Sequence, residues 1–288
     1  MGLDNFIPEL WSNECLRGLE KFLVYSQAGV VNRDYEGTIA GIGDTVHLAG
    51  IGPVTVKKYT KNTDIDSAET LTDAETKLLI DQGDYFNLFV DSIDKAQQKP
   101  KIMVSAMEEA GYALRDSLDQ FIASFYTDAS ASNLIGSDAS PITPNNTAGN
   151  ASNCYNLLVD AAVKLTKSRV PTEGRWIIVP PEYYGILLKD DRFVDASKSG
   201  STAALRNGQV GQAAGFTVLQ SHNVPNTAGT KYKIMFGTSR AISLAVQMTK
   251  MTPYEPEARF GDAVKGLQVY GAKVVRPEAL GVMTCNFS

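Results

Sequence analysis

The chain has 288 residues, of which 43% are hydrophobic and 20% are charged, so it can form one large or two medium domains around a substantial core. Its formal net charge of −5 argues against tight nucleic-acid binding by the whole surface, because phosphate binding needs clustered lysines and arginines. The 3 cysteines, Cys15, Cys154 and Cys285, lack CxxC spacing, so we expect reduced packing residues and neither a disulfide framework nor a thiolate metal site.

The N-terminal segment is amphipathic and has no basic leader, so the sequence predicts neither a signal peptide nor a membrane span, and it predicts use in a cytoplasm. Pro8 is expected to open a first helix that Gly29 ends, with Trp11 among the apolar residues at helical spacing. A helix at a free terminus normally frays. We therefore expect contacts outside the subunit to hold this one.

Residues 37–90 are predicted to form a β-rich arm. Two alternating segments, 45–48 and 54–59, flank a Gly-Ile-Gly-Pro turn, and a strongly acidic stretch follows at 62–75. An alternating strand resumes near Phe86. This pattern predicts a protruding hairpin with an acidic tip, and an ordinary surface hairpin is the alternative.

The longest predicted helix covers residues 102–126, where an apolar stripe opposes a charged face. Residues 130–152 are rich in Ser, Asn, Thr, Gly and Pro, which indicates a boundary. An α/β block is predicted beyond it. Its expected elements are a helix from Cys154, a buried strand at 175–179, a short helix at 182–189, and strands near 217–220, 231–236 and 241–247.

Residues 260–280 are predicted to form one long strand with apolar side chains on both faces. A strand of this kind must be covered on both sides. Elongated elements that cannot bury themselves alone indicate a subunit that its neighbours complete.

The sequence gives little support for an enzymatic reaction. His47 and His222 are the only histidines, so a Ser-His-Asp or Cys-His site would need one of them. His47 is expected to face outward on a strand, and His222 is expected in a loop. Neither lies in a GxSxG or HExxH motif. We predict no enzyme activity and no catalytic, cofactor-binding or metal-binding residues.

Several short motifs occur in a characteristic order along the chain. They are Phe6-Ile-Pro-Glu-Leu-Trp11, Val31-Asn-Arg-Asp-Tyr35, Trp176-Ile-Ile-Val-Pro-Pro181 and Val269-Tyr-Gly-Ala-Lys-Val-Val-Arg-Pro-Glu278. The series spans nearly the whole chain and resembles the HK97-fold major capsid proteins of tailed bacteriophages, in particular their coat-protein branch.

The resemblance implies a mixed α+β fold of the HK97-like capsid type. Its expected parts are an N-arm at 1–36, an extended E-loop hairpin region at 37–90, a P domain with a long spine helix at 91–149, an α/β A domain at 150–250 and a P-domain return strand at 251–288.

The resemblance also implies a structural coat protein that self-assembles into an icosahedral phage head around double-stranded DNA. Implied partners are many copies of itself in hexamers and pentamers, a portal protein and, as a further candidate, a decoration protein. Because no scaffolding segment precedes the N-arm, a separate scaffolding protein is expected. The implied location is the virion capsid, assembled in the host bacterial cytoplasm.

The acidic tip is predicted to lie over a basic patch on a neighbour, since a closed lattice repeats heterologous contacts. The candidate intersubunit residues are Trp11, Lys57, Lys58, Asp64, Asp66, Glu69 and Asp73. Two alternatives remain: an encapsulin shell that encloses cargo enzymes, and a small hydrolase using His47 or His222. Packaged DNA or a co-purifying enzyme would separate the first two, and particle mass would separate both from a hydrolase.

Overall fold

The computed structural model describes residues 24–34, 43, 45–51, 56, 58–59, 61–62, 64, 73–91, 102–147, 150–190, 211–254, 256–257 and 261–287. Most of the predicted N-terminal helix, including Trp11, lies outside these residues, but the prediction that it extends to Gly29 is wrong, because residues 24–29 form turns and bends.

A two-stranded antiparallel ribbon is formed by β1 (Thr45–Ile51) and β2 (Asp73–Leu79). The predicted pairing of 45–48 with 54–59 is therefore wrong, because Ile51 pairs with Asp73 and residues 52–72 form the connection. Burial explains why β1 pairs with β2 and not with residues 54–59. Leu78 is fully buried, whereas Val56 in the predicted strand is 91% exposed and has no core to enter.

The second sheet is antiparallel and has three strands in the order β10-β11-β3. They are β3 (Gln82–Asp91), β10 (Ile242–Tyr254) and β11 (Gly261–Val274). The strand β11 is covered on both faces, as its sequence predicts. On one face Tyr270 packs edge-on against Phe121, with ring centroids 5.2 Å apart. On the other, Val269 packs with Leu78 and Ile80 at the base of the ribbon.

The strand β11 ends earlier than predicted. A short 3-10 helix, Pro277–Ala279, follows it, and β12 (Leu280–Asn286) then joins a different sheet. The prediction of one strand from 260 to 280 is therefore wrong. Pro277 explains the break, because it has no N–H to continue the ladder and its φ is restricted.

The long helix α1 (Ile102–Ala123) is confirmed and ends in a 3-10 helix, Ser124–Asp128. Its 22 residues make a rod about 33 Å long at about 1.5 Å per residue. The described part of its apolar stripe is buried and consists of Met107, Ala110, Leu114, Leu118 and Ile122.

The predicted α/β block is confirmed as a seven-stranded sheet in the order β4-β12-β9-β5-β7-β6, with β8 paired to β9. Its strands, besides β12, are β4 (Leu134–Ile135), β5 (Arg175–Val179), β6 (Gln212–Ala213), β7 (Phe216–Gln220), β8 (Asn226–Thr227) and β9 (Lys231–Thr238). The helices α2 (Cys154–Lys167) and α3 (Pro181–Leu188) complete the block.

The domain limits stay predictions. Strand pairing groups β3 and β10 with β11, and it groups β12 with the seven-stranded sheet.

Two cysteines pack in the main core. Cys154 and Cys285 are free and fully buried, which confirms the packing role predicted for them. Burial raises the pKa of Cys154 to about 12 and also raises that of Cys285, so both remain thiols. Cys15 lies outside the described residues.

Candidate assembly surfaces

The ribbon β1–β2 is anchored at its base. Leu78 and Ile80 are fully buried and pack with Ala245 and Val269 of the three-stranded sheet. Gly271 makes this approach possible, because a Cβ there would lie 2.3 Å from the carbonyl oxygen of Leu79. The base of the ribbon is therefore part of the subunit's own core.

The far end of the ribbon makes a different kind of surface. Val56 is 91% exposed and Tyr59 is 74% exposed, although both are large and apolar. Sequence reasoning did not select them as contact residues. The sequence did contain a signal that would have identified them, since Val56 and Tyr59 flank two lysines in an otherwise polar segment. Exposed apolar groups at the end of a ribbon are typical of a surface that a partner covers.

The predicted intersubunit residues are only partly described. Lys58 and Asp64 are exposed near the end of the ribbon, and Asp73 begins β2 opposite Ile51. Lys58 and Asp64 therefore belong to the connection, and Asp73 belongs to the strand that follows it. The others, Trp11, Lys57, Asp66 and Glu69, lie outside the described residues.

The segment 24–34 is tied to the body at both ends. At one end, the Val24 N–H donates to Asp119 of α1 at 3.3 Å. At the other, the backbone N–H of Asn32 donates to the Ile242 carbonyl at 2.8 Å, and the Leu244 N–H donates to the Asn32 carbonyl at 2.8 Å. The start of this segment is therefore fixed beside α1.

Asp119 is a buried carboxylate with an unusual pKa. Burial raises its pKa from 3.8 to about 6, and the nearby Asp116 adds to the rise. The backbone N–H groups of Val24, Tyr25 and Ser26 oppose the rise. The acid therefore titrates close to neutral pH at the junction of α1 and the N-terminal segment.

A groove of about 780 Å³ runs along the C-terminal end of α2. Three cations line it: Lys164, Lys167 and Arg169. Arg169 follows the helix with φ 59°, a left-handed conformation in which glycine is usual. Asp160 and Glu278 lie on the same groove, so its charge is mixed but net positive.

An apolar depression of about 290 Å³ adjoins this groove. Val163 and Lys167 line both, so the two make one continuous surface. Val159, Ala162 and Ala214 complete the apolar part. Val163 is 45% exposed, although it lies on a helix whose other face fills the core.

A buried amide beside the groove joins two of its lining residues, Ser168 and Glu278. The Nδ2 of Asn133 donates to the carbonyl oxygens of Glu278 and Leu280, at 2.7 and 3.2 Å. Ser168 Oγ donates to Asn133 Oδ1 at 2.8 Å. Both polar atoms of this side chain are therefore bonded, and they link the Ser168 end of α2 to the backbone at Glu278 and Leu280.

The structure offers little for catalysis. His222 is exposed in a loop, as predicted, and the side chain of His47 is not described. Within the described ranges, no group of three or more His, Cys, Asp or Glu side chains is placed to hold a metal ion. In those same ranges, no helix is both long and apolar enough to cross a bilayer.

Comparisons with known proteins agree with this architecture. A family model described as phage capsid protein matches residues 74–282. No curated protein matches the chain.

Among solved structures, one from Mycobacterium phage Che8 is 29% identical with a TM-score of 0.71, covering 98% of both chains. The capsid of cyanophage P-SCSP1u is 18% identical with a TM-score of 0.71, over 93% of this chain and 90% of that one. The capsid of Ralstonia phage GP4 is 11% identical with a TM-score of 0.69 and the same coverage, so these last two show the fold alone.

The family model covers well over half of the chain, and the structural likeness extends over nearly all of it. The role is structural, the protein's place is the virion capsid, and its copies self-assemble into a multimeric shell. The encapsulin alternative is not favoured, because the matching family is one of phage capsid proteins. The chain belongs to the phage capsid protein family and is a major capsid protein with the HK97-like fold.

Proposed function

We propose that the shell is an icosahedral head of hexamers and pentamers that encloses double-stranded DNA and assembles in the host bacterial cytoplasm. A separate scaffolding protein and a portal protein take part in assembly, and a decoration protein is a further candidate. In this proposal the subunit is divided into an N-arm, an E-loop, a P domain and an A domain at the limits predicted from the sequence. The chain has no catalytic role in this proposal.

One observation carries the proposal. The ribbon β1–β2 is anchored in the subunit at Leu78 and Ile80 but carries Val56 and Tyr59 exposed at its far end. A two-stranded ribbon is marginal in water by itself. Its exposed apolar end therefore favours burial against another copy, which a closed lattice supplies repeatedly.

The acidic part of the connection is proposed to add intersubunit charge pairs. The acidic contact residues are Asp64, Asp66 and Glu69 of the connection and Asp73 at the start of β2, and Trp11, Lys57 and Lys58 are the other proposed contact residues. Individual surface pairs contribute only about 0–1 kcal/mol each. Contacts of this strength allow a misplaced subunit to leave before the lattice closes.

Charge reversal tests this proposal. Asp64→Lys with Asp66→Lys is expected to lower the yield of megadalton particles strongly, while circular dichroism of the subunit stays unchanged. Glu173→Lys, at an exposed acid in another turn, is the control and should assemble normally. Normal particle yield from the reversed variant would count against the charge pairs.

The contents of the particle test the head itself. Wild-type particles viewed by negative-stain microscopy and treated with nuclease are expected to protect double-stranded DNA when purified from infected cells. A co-purifying enzyme in place of DNA would contradict the proposal.

A further inference from the structure

A groove of about 630 Å³ lies between α1 and β3 and is called the α1–β3 groove. Its apolar lining comes from both elements and consists of Phe86, Leu88, Ala110, Ala113 and Leu114. In the described part of the chain, β3 is the outermost strand of its sheet, so the groove lies at an edge. An apolar groove at an exposed edge is typical of a surface that a partner fills.

A carboxylate ties together the elements that form the groove. The Oδ2 of Asp84 accepts a hydrogen bond from Ser117 Oγ of α1 at 2.6 Å and another from the Tyr270 hydroxyl of β11 at 2.8 Å. Asp84 and Ser117 both line the groove. Because these bonds hold α1 to the sheet beside the groove, a ligand meets a surface that loses little conformational freedom on binding.

The two elements that form the groove are strongly acidic. The helix α1 carries four carboxylates and one guanidinium, and β3 carries two carboxylates and no cation, so together their formal net charge is −5. The formal net charge of the whole chain is also −5. The rest of the chain is therefore neutral on balance, and the acidity of the protein belongs to these two elements.

The carboxylates around the groove are bonded to neutral groups, so their charge is retained. Asp116 accepts the side-chain amides of Gln120 at 2.7 Å and of Asn223 at 2.6 Å. The donors to Asp84 are the two hydroxyl groups named above. Glu109 lines the groove and is exposed. The groove thus presents negative charge beside an apolar interior.

The cations of α1 and of the neighbouring strand β11 make other contacts. Arg115 is 7% exposed and lies over the Tyr112 ring, 5.3 Å from its centre. Lys265 lies 4.9 Å from the centre of the Tyr254 ring, and Lys273 donates to a backbone carbonyl of β2 at 3.0 Å. None of these three cations lines the groove.

We propose that the α1–β3 groove receives a basic amphipathic helix of another protein. The apolar face of that helix enters the groove, and its lysines and arginines lie against Asp84, Glu109 and Asp116. Apolar burial provides most of the attraction, and the carboxylates select a cationic partner. The inference goes beyond the proposed function, because none of these residues is among the proposed intersubunit contacts.

Two features favour this occupant over a second copy or an extended segment. Each copy of the chain is acidic, so two copies repel on balance, whereas a cationic segment is attracted to every carboxylate of the groove. The wall that α1 contributes includes the small side chains Ala110, Ala113 and Ser117. Small side chains allow the axis of a second helix to approach α1 closely.

Peptide binding to the full-length chain tests the chemistry of the groove. The probe is a fluorescein-labelled synthetic amphipathic helix of leucine and lysine, and the control peptide has glutamate in place of every lysine. Fluorescence anisotropy is expected to show binding of the lysine peptide that weakens as salt is added, and no binding of the glutamate peptide. Equal binding of the two peptides, or no binding of the lysine peptide, would overturn the inference.

Two adjacent glutamates of α1 form a matched pair for locating the site. Both are exposed, but Glu109 lines the groove and Glu108 does not. Glu109→Lys is expected to weaken binding of the lysine peptide at least fivefold, whereas Glu108→Lys should weaken it less than twofold. Equal weakening would show that the peptide responds to the general acidity of α1, and the groove would then not be the site.

Filling the groove tests its apolar part. Ala113 is exposed and lines the groove, so Ala113→Trp is expected to weaken binding of the lysine peptide at least fivefold while circular dichroism stays unchanged. Full affinity in this variant would overturn the proposed apolar contact. The glutamate pair leaves the volume of the groove unchanged, so it decides the matter if Ala113→Trp does not fold.

Photo-crosslinking identifies the natural occupant. Full-length chain with p-benzoylphenylalanine in place of Tyr85, which lines the groove and is 77% exposed, is produced in infected cells and irradiated. Mass spectrometry of the crosslinked peptides is expected to show a peptide of another protein in which lysine and arginine outnumber aspartate and glutamate. The same photoprobe in place of Tyr59, 74% exposed in the connection after β1, is the control and should give different peptides.

The other outcomes of the crosslinking count against the inference. Links from position 85 to a second copy of this chain, to nucleic acid or to an acidic peptide would each overturn it, and so would the same peptides from both positions or no links at all. The capsid function stands in every one of these cases, because it is tested by particle formation and by the protected DNA.

Discussion

The carboxylate of Asp119 in α1 accepts a hydrogen bond from the backbone N–H of Val24, 95 positions earlier in the chain. Asp119 is 5% exposed, and its other oxygen has no hydrogen-bond partner within the described residues. The charge of Asp116 raises the pKa of Asp119 further, and Asp119 in turn helps to raise the pKa of Tyr25. The bond fixes the start of segment 24–34 against α1.

This carboxylate predicts a pH dependence with a definite sign. Its pKa is raised from 3.8 to about 6, so between these values the folded chain holds a proton that the unfolded chain has released. The free energy of unfolding therefore rises as pH falls through 6, by at most roughly 3 kcal/mol at about 1.4 kcal/mol per pKa unit. The stabilisation is complete below pH 4 and is lost as pH rises through 6.

Asp119→Asn tests this dependence. Asparagine keeps an acceptor for the Val24 N–H but carries no charge, so the protection factors of amides 24–31, corrected for intrinsic exchange, should no longer change with pH between 4 and 7.5 and should exceed those of wild type at pH 7.5. Asp128→Asn, at an exposed site in the following 3-10 helix, should leave the wild-type dependence unchanged. An unchanged pH dependence in Asp119→Asn would show that another group causes it.

Gly271→Ala is predicted to loosen the base of the ribbon. The added Cβ would lie 2.3 Å from the Leu79 carbonyl oxygen and 2.9 Å from the Ile80 Cα, which are backbone atoms that cannot rotate away. We expect a loss of about 1–3 kcal/mol in the free energy of unfolding and faster amide exchange in β1 and β2.

Gly185→Ala is the matched control for that substitution. Gly185 lies within α3, and a Cβ there meets nothing within 4 Å. Removing backbone freedom from the unfolded chain should raise stability by about 0.5–1 kcal/mol. Equal effects of the two substitutions in thermal unfolding would contradict the close approach.

Arg175→Lys is predicted to destabilise the seven-stranded sheet. The buried guanidinium donates to the carbonyl oxygens of Pro171, Ala162 and Val170 at 2.8, 3.1 and 2.8 Å, and to Thr166 Oγ1 at 3.1 Å. An ammonium group cannot span these four acceptors, so we expect a loss of roughly 2–4 kcal/mol.

Chemical denaturation measures this loss. Arg240→Lys, at an exposed arginine, is the control and should change the free energy of unfolding by less than about 0.5 kcal/mol. A loss in Arg175→Lys no larger than in the control would show that the guanidinium fork is dispensable.

Gln268→Met is predicted to stabilise the subunit. Gln268 is 1% exposed on β11, and neither polar atom of its side chain has a hydrogen-bond partner in the part of the chain that the structure describes. Methionine of similar length removes the buried amide, which should raise the free energy of unfolding by about 1–2 kcal/mol. Gln247→Met, at a half-buried position on β10, should have a smaller effect. Destabilisation by Gln268→Met would indicate that the amide has a polar partner.

Local signals in the sequence located most elements of the α/β block. Asn153 caps α2 by accepting the N–H groups of Tyr155 and Asn156, and Pro181 opens α3, so both helix starts depend on neighbouring residues. The strand β5 is buried along its whole length, as its run of apolar residues predicts.

The candidate surfaces were harder to predict from the sequence than the secondary structure was. The acidic character of the connection after β1 could be predicted from the sequence, because acidic residues cluster there. The groove beside α2 could not be predicted, since Ser130, Lys167 and Glu278, which line it, come from distant parts of the chain. No spacing rule joins residues that only packing brings together.

The sequence alone determined the type and order of most elements, the two-sided burial of β11 and the family, because these depend on periodicity, turn residues and ordered motifs. Tertiary structure decided that β1 pairs with β2, that the chain leaves the three-stranded sheet after Val274, and that segment 24–34 is held between Asp119 and β10. The reason is physical: strand partners and buried polar bonds are chosen by which distant side chains can be buried together.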